Sequence, residues 1–215
     1  MEEVSQAGWT QSFPGNGGTY AVTLTSGQSE SGNDFGNYQQ AVKTGEKFDD
    51  LNANGVKDSN DPGLSGWTIL AFADNGDGVL STGELAAGAV ATSVTNGSGN
   101  YSLTLKPGTY VVEEVSQAGW TQSFPGNGTY AITLTSGQID SANDFGNYQQ
   151  ATKTGEKFDD LSANGVKNSN DPGLSGWTIL AFADNGDGVL SAGELAAGAV
   201  ATSVTNGSGN YSLTL

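Results

Sequence analysis

Residues 43–70 read KTGEKFDDLNANGVKDSNDPGLSGWTIL, and residues 153–180 repeat this stretch almost letter for letter, 110 residues later. Over the longer segments 43–105 and 153–215 only three positions differ. They are Asn52/Ser162, Asp58/Asn168 and Thr82/Ala192. A near-identical tandem array is typical of proteins in which repetition supplies length and stiffness, since an active site needs only one good copy. The repeat therefore predicts a mechanical role.

The repeat also predicts the domain organisation, because EEVSQAGWTQSFPGNG occurs at 2–17 and again at 113–128. The expected segments are the C-terminal half of a repeat at 1–41, a complete repeat at 42–151 and the N-terminal half of a repeat at 152–215. The linkers are very short, which favours a rod over beads on a string. Two interpretations stay open: a window cut from a longer array, or half-domains of neighbouring molecules that complete each other end to end, as in strand complementation.

The composition excludes several classes of function. The chain has no Cys, His or Arg, which excludes disulfides, Cys-ligated zinc and Cys or His catalysis, and we expect no enzyme. A formal net charge of −16 argues against nucleic-acid binding and makes calcium the more natural partner. No apolar run is long enough to span a bilayer, and residues 1–20 lack a signal-peptide pattern, so any export signal or wall anchor is expected outside this sequence. The 33 glycines, with many Thr, Ser and Asn, suit an all-β secreted, extracellular protein with tight turns.

Short β-prone runs alternate with turn clusters throughout the complete repeat, and TYAITLT at 129–135 alternates apolar and polar residues. The expected strands lie near 45–49, 66–73, 88–94, 101–105, 109–117, 129–135 and 143–149. About seven short strands without a long helical period predict an antiparallel β-sandwich. GELAAGAVA at 83–91 could form a helical turn, but its glycines and the following Val-Thr pattern favour a loop followed by a strand.

The strongest chemical motif is DLNANGVKDSND at 50–61, which has the oxygen-ligand spacing of an EF-hand-type calcium loop. Gly55 occupies the sharp turn of that template. The candidate ligands are Asp50, Asn52, Asn54, Val56 through its carbonyl, Asp58 and Asp61. The alternative is a surface cluster of Asx turns. The later copy carries Asp160, Ser162, Asn164, Val166, Asn168 and Asp171; it has one carboxylate fewer and should bind calcium more weakly.

A second candidate calcium loop is ADNGDGVLSTGEL at 73–85, repeated at 183–195. Its template is less complete, because Ala73 stands where the first ligand belongs and Asp74 must substitute for it. The candidate ligands are Asp74, Asn75, Asp77 and Glu84, and in the later copy Asp184, Asn185, Asp187 and Glu194. A plain acidic turn is the alternative.

The order of GEKFDDLNANGVKD, DPGLSGWTI and GNYSLTLKPGTYVVEEVSQAGW resembles the B-type repeats of Gram-positive surface adhesins, the Cna-B and SdrD B-like domains. The resemblance covers the whole repeat. It implies tandem Greek-key, Ig-like β-sandwiches of about 110 residues, stiffened by calcium at the 50–61 loop and stacked as a stalk that projects a binding domain.

Some relatives in that family also form an intramolecular Lys–Asn isopeptide bond that a buried glutamate promotes. The resemblance implies Glu114 as that acid, with Lys47 and Asn147 on the first and last strands as the partners. Against the bond, Phe48 is the obvious inward residue, and strand alternation would then turn Lys47 outward. The sequence therefore favours a solvated lysine and no bond.

The sequence thus predicts a calcium-stabilised extracellular structural repeat that forms a rigid stalk or filament, with neighbouring repeats as its partners. End-to-end self-assembly into a filament is the further possibility. The alternative function is an adhesion module that itself binds a host, matrix or carbohydrate ligand, for which exposed tryptophans would be the natural stacking surface. Near-identity of the copies argues for the spacer.

Overall fold

The computed structural model describes residues 1–15 and 17–215, and it divides into two compact units at 1–148 and 149–215. Residues 1–41 are grouped with the complete repeat in the first unit. The predicted segment boundaries at 41/42 and 151/152 stay a prediction.

The first unit is built from strands and one short helix. Residues 1–41 contribute β1 (Thr10–Phe13) and β2 (Gly36–Tyr38). The rest of the unit contributes β3 (Ala41–Asp49), β4 (Thr68–Ala73), α1 (Thr82–Ala87), β5 (Ala91–Val94), β6 (Asn100–Leu105), β7 (Gly108–Glu114), β8 (Thr121–Phe124), β9 (Thr129–Leu134), β10 (Ile139–Asp140) and β11 (Phe145–Tyr148). All seven predicted strands are present; β8 and β10 were not predicted.

Two sheets of the first unit face each other across the core. One sheet has the order β5-β4-β7-β9 and is antiparallel throughout. In the other, β3 pairs with β6 on one edge and with β10 and then β11, both parallel, on the other edge, and β8 lies beyond β11. The core between the sheets is formed by the inward residues of both, including Ile69, Leu103, Val112 and Phe145. The all-β sandwich is confirmed, with two parallel pairings added to the expected antiparallel ones.

The second unit contains β12 (Thr152–Glu156), β13 (Thr178–Ala181), α2 (Ala192–Ala197), β14 (Ala201–Val204) and β15 (Asn210–Thr214). They form two separate antiparallel pairs, β12 with β15 and β13 with β14. Each pair matches its counterpart in the complete repeat residue for residue. The N-terminal half of the repeat therefore folds locally in the same way in both units.

The expectation of a loop followed by a strand over 83–91 is wrong for its first part, because α1 and α2 are helices. Each begins with a capping box in which the Ser81 or Ser191 side chain accepts from the backbone of Glu84 or Glu194 and the glutamate reaches back. The S-x-x-E spacing was visible in the sequence. The glycines obscured it, since they lower helix propensity without preventing a two-turn helix that capping stabilises.

Across the residues that the structure describes, no helix is long and apolar enough to cross a membrane.

The close approach of the loop after β3 to the turn before β6 gives a stability test. A Cβ at Gly63 would collide with the backbone carbonyl of Ser98, whereas a Cβ at Gly97 meets nothing within 4 Å. We expect Gly63→Ala to lower the free energy of unfolding of the first unit by about 3 kcal/mol because backbone atoms must move. Gly97→Ala, the matched control, should change it by less than about 0.5 kcal/mol. Urea unfolding followed by circular dichroism measures both, and equal effects would contradict the contact.

Candidate functional site

Three side chains from three different strands meet inside the first unit. Lys47 lies on β3, Glu114 on β7 of the opposite sheet and Asn147 on β11. The Lys47 Nζ donates to Asn147 Oδ1 at 2.8 Å and lies 3.5 Å from Glu114 Oε2. Their exposed fractions are 0%, 7% and 2%. The structure thus brings together the three residues that the resemblance implied.

The expectation that Phe48 would turn Lys47 outward is wrong, because β3 is covered on both faces. Lys47 faces the sheet that contains β7. Phe48, on the other face of β3, is covered by the loop that follows β3: it forms a bridge with Gly63, and the Lys57 Nζ lies 5.7 Å from its ring centroid. Both residues are fully buried. Alternation along a strand separates two faces, but it identifies the inward one only where the other faces water.

The surroundings of Lys47 shift its protonation equilibrium toward the neutral amine. Burial lowers the pKa of Lys47 to about 8, although the carboxylate of Glu114 opposes this shift. Burial raises the pKa of Glu114 above its ordinary value, against the effect of the Lys47 charge. The Nζ also lies 4.4 Å from the centroid of the Trp67 ring. Both shifts move the pair toward a neutral amine beside a protonated acid.

The Glu114 Oε2 is also buried and accepts no hydrogen bond within the described residues, although the Lys47 Nζ lies 3.5 Å away. The Lys47 Nζ, in contrast, also donates to the carbonyls of Phe48 and Phe145 at 3.2 Å each. An amine held against a carboxamide, with an under-bonded acid in reach, has the components for proton transfer and acyl transfer.

In the 50–61 loop, backbone amides already hold two of the carboxylates. Asp50 accepts from the amides of Asn54 and Gly55, and Asp61 accepts from those of Leu51 and Asp58. Burial alone would raise the pKa of Asp50, but the hydrogen bonds that it accepts lower it. The loop is therefore wrapped around an ionised Asp50.

A third carboxylate of this loop, that of Asp58, accepts hydrogen bonds from two other candidate ligands. The side-chain amides of Asn52 and Asn54 both donate to Asp58 Oδ2 at 2.9 Å. In the later copy Asn168 stands at the position of Asp58 and donates to Asp171, while Ser162 donates to Asp160. Asp160 accepts from the backbone amide of Asn164, and Asp171 accepts from that of Asn168, as in the first copy. The backbone amide of Val166 donates to the side chain of Asn164. Asn168 therefore places a hydrogen-bond donor where Asp58 of the first copy accepts from both asparagine side chains.

The 73–85 loop gathers three carboxylates. Oxygens of Asp74, Asp77 and Glu84 lie within 4.8 Å of one another, and Asp184, Asp187 and Glu194 form the same group in the second unit. Glu84 accepts from the amides of Ser81 and Asn75 at 2.8 Å each, which lowers its pKa. Asn75 and Asn185 accept from the amides of Asp77 and Asp187. The loop that matches the template less well thus collects more carboxylate charge in one place, because α1 returns Glu84 to it.

No protein-family model matches the chain. Two curated relatives are surface proteins of staphylococci. Serine-aspartate repeat-containing protein D of Staphylococcus aureus is 33% identical over 154 residues, which is 66% of this chain and 11% of that protein. Serine-aspartate repeat-containing protein F of Staphylococcus epidermidis is 23% identical over 175 residues, 76% of this chain and 9% of that protein. The chain spans about a tenth of the length of these relatives.

Solved structures with a similar arrangement include pilins. The minor pilin GBS52 of Streptococcus agalactiae matches at 19% identity with a TM-score of 0.35, over 52% of this chain and 45% of that one. The major pilin SpaD of Corynebacterium diphtheriae matches at 16% identity with a TM-score of 0.40, over 82% of this chain and 53% of that one.

The sequence relationship confirms the resemblance that the ordered motifs predicted, and with it the extracellular, cell-surface location. Over the matched residues, this chain is a homologue of the serine-aspartate repeat surface proteins of staphylococci.

Proposed function

We propose that the chain is a stalk segment of a cell-surface protein whose repeats resist extension through calcium in their loops and a covalent bond between their first and last strands. The observation that carries the proposal is the buried contact of Lys47 with Asn147. These residues are 100 positions apart in the chain and 2.8 Å apart in space.

This contact lies where it can resist tension along the chain. The chain enters the complete repeat through β3 and leaves it through β11, and these strands lie side by side. Tension between neighbouring repeats therefore acts first on the two strands that carry Lys47 and Asn147. A bond between them would keep the intervening residues out of the path of the force.

The bond that the geometry supports is an isopeptide. The neutral Lys47 Nζ attacks Asn147 Cγ, the new Cγ–Nζ bond replaces the Cγ–Nδ2 bond, and ammonia leaves. The protonated Glu114 gives its proton to the departing nitrogen and takes one from the attacking amine, so the protonated acid is regenerated. Burial between the sheets excludes the water that would otherwise compete.

Calcium is the second element of the proposal. Carboxylates held within 4.8 Å of one another repel, and a divalent cation with oxygen ligands relieves that repulsion. The chain carries this arrangement in both units, and each unit also has a second oxygen-rich loop. Asp50, Asp58, Asp61, Asp74, Asp77 and Glu84 are the side chains of the complete repeat that we assign to calcium.

Calcium is expected to raise the melting temperature, since a ligand present at 100 times its dissociation constant adds about 2.7 kcal/mol of stability. The double variant Asp77→Asn with Asp187→Asn should lose much of this rise because both three-carboxylate groups are broken. Differential scanning calorimetry with calcium and with chelator measures it.

The matched control removes two carboxylates outside the loops, Glu30→Gln with Asp34→Asn, and should keep the full calcium effect. Equal losses in both double variants would reduce the effect to general charge screening and contradict the assignment.

The intact mass of the folded protein should fall short of the sequence mass by one ammonia. Lys47→Met and Glu114→Gln should each restore the full mass, the first by removing the nucleophile and the second by removing the proton carrier. The exposed Lys106 supplies the control, as Lys106→Met should still lose ammonia. An unmodified mass for the unsubstituted protein would rule the bond out.

Single-molecule stretching tests the mechanical role itself. Without the bond, unfolding of the segment between residues 47 and 147 should release about 340 Å of chain, at roughly 3.4 Å per residue. We expect this step in Lys47→Met and not in the unsubstituted protein or in Lys106→Met. The same step in all three proteins would show that the strands are not joined.

A further inference from the structure

The 50–61 loop is hydrogen-bonded, at its two ends, to the backbones of both residues that the proposed covalent bond joins. At its start, the amide of Asp50 donates to the carbonyl of Asn147 at 2.8 Å. Just beyond its end, the amide of Leu64 donates to the carbonyl of Lys47 at 2.7 Å. The entry of the loop therefore holds the residue with the carboxamide, and its exit holds the residue with the amine.

The exit of the loop is fastened to β3 by its own local fold. The amide of Asp49, the last residue of β3, donates to the carbonyl of Pro62 at 2.8 Å. The second unit repeats the contact at the amine residue, since the amide of Leu174 donates to the carbonyl of Lys157 at 2.8 Å. The same sequence makes this hydrogen bond twice, so the contact is a property of the loop itself.

The body of the loop lies against neighbouring strands of the same sheet. A Cβ on Gly55 would lie 3.1 Å from the carbonyl oxygen of Ser123 on β8, the strand that pairs with β11. The Nζ of Lys57 lies 3.3 Å from Oε1 of Glu46 on β3. Together with the hydrogen bond from its first residue to β11, these contacts connect the loop to β3, β11 and β8. A change in the loop is therefore transmitted to the strands that carry the amine and the carboxamide.

The amine and the carboxamide are close, but their hydrogen bond differs from the arrangement needed for attack. The Lys47 Nζ donates to Asn147 Oδ1, whereas the covalent bond forms at Cγ. The same Nζ also donates to two backbone carbonyls. Reacting atoms must be aligned, and a misplacement of about 1 Å can slow a reaction on the order of 100-fold. The rate of bond formation is therefore sensitive to small displacements between the backbones of these two residues.

The candidate calcium ligands of the loop come from both of its ends. Asp50 and Asp61 are its first and twelfth residues, and both are buried. Among the described residues, the carboxylates of Asp50, Asp58 and Asp61 do not form a group within 4.8 Å, unlike those of the 73–85 loop. The side-chain and carbonyl oxygens of this loop are the ligands that calcium prefers. Their binding to one ion requires the two ends of the loop to move toward each other.

We propose that calcium binding by the 50–61 loop accelerates the reaction of Lys47 with Asn147, so that the covalent bond forms once the repeat meets extracellular calcium. The loop is a positioning element, because the ends that bind the ion also hold the backbones of both reacting residues. A ligand shifts a conformational equilibrium through its different affinity for the two states, and the ungathered carboxylates supply that difference. The covalent step is unchanged, and ammonia is its only other product. The inference rests on the bond and the calcium assignment proposed above.

The two copies of the loop supply the substitution that tests this coupling. Asn168 occupies the position of Asp58 in the second unit, and its amide donates to the same aspartate position as that of Asp58. Asp58→Asn therefore removes one carboxylate ligand from a loop that folds with either residue. The Asp58 carboxylate accepts from Asn52 and Asn54 inside the loop, so the substitution leaves the hydrogen bond to Asn147 in place.

The experiment follows the intact mass of protein made by cell-free synthesis with a calcium-selective chelator, after calcium is added at a series of concentrations. We expect ammonia loss to be on the order of 10- to 100-fold faster with saturating calcium than with chelator. Asp58→Asn should need about 10-fold more calcium for half of this effect and should reach the same rate at saturation. Asp34→Asn removes an exposed carboxylate outside the loops, and this matched control should behave as the unsubstituted protein.

Asp77→Asn separates positioning from general stability. It breaks the three-carboxylate group of the 73–85 loop and should reduce the rise in melting temperature, yet bond formation should need no more calcium than before. If Asp58→Asn and Asp77→Asn raised the calcium requirement equally, the effect would lie in the stability of the whole repeat, and the inference would be wrong.

The mass measurement also separates this inference from the proposed bond. Ammonia loss at the same rate with calcium and with chelator would overturn the coupling and leave the Lys47–Asn147 bond standing. If no sample loses ammonia at any calcium concentration, the bond itself fails and the coupling fails with it.

Discussion

The burial of the Lys47 amine between two β-sheets is the constraint on which the complete repeat depends. A charged amine in such a place costs several kcal/mol unless it is neutralised or paired. Asn147 on β11 and Glu114 on β7 supply polar partners to the Lys47 amine. These contacts fix β3 against β11 in the same sheet and against β7 in the opposite one. The same burial that disfavours the charged lysine lowers the pKa of its amine.

The acidic loops pose the reverse electrostatic problem, because they concentrate like charges at the ends of strands. Backbone amides stabilise single carboxylates such as Asp50, and the capping box of α1 holds Glu84. The grouping of Asp74, Asp77 and Glu84 leaves carboxylate oxygens close together, an arrangement that a divalent cation stabilises. The buried lysine and the grouped carboxylates are therefore two separate electrostatic features of the same repeat.

Much of this molecule could be predicted from local patterns. Period-two alternation and turn residues located the main strands, since these signals arise within a few neighbouring residues. The two-residue β10 lacked such a pattern, and the capping signal at Ser81 and Glu84 was outweighed by nearby glycines. Lys47 was misplaced for a different reason. Lys47 is buried against the sheet that carries Glu114, whereas a loop covers Phe48 on the opposite face of β3. Neither contact is visible to a pattern along one strand.

The sequence by itself determined the repeat, its β-sandwich class and its acidic loops, and the family resemblance implied Lys47, Glu114 and Asn147. Only the tertiary structure decided that these three side chains meet, and that Glu84 joins Asp74 and Asp77. The physical reason is the same in both cases. Spacing along the chain controls which face or turn a residue occupies, whereas contact between distant residues depends on how strands from two sheets, or a loop and a helix, pack together in space.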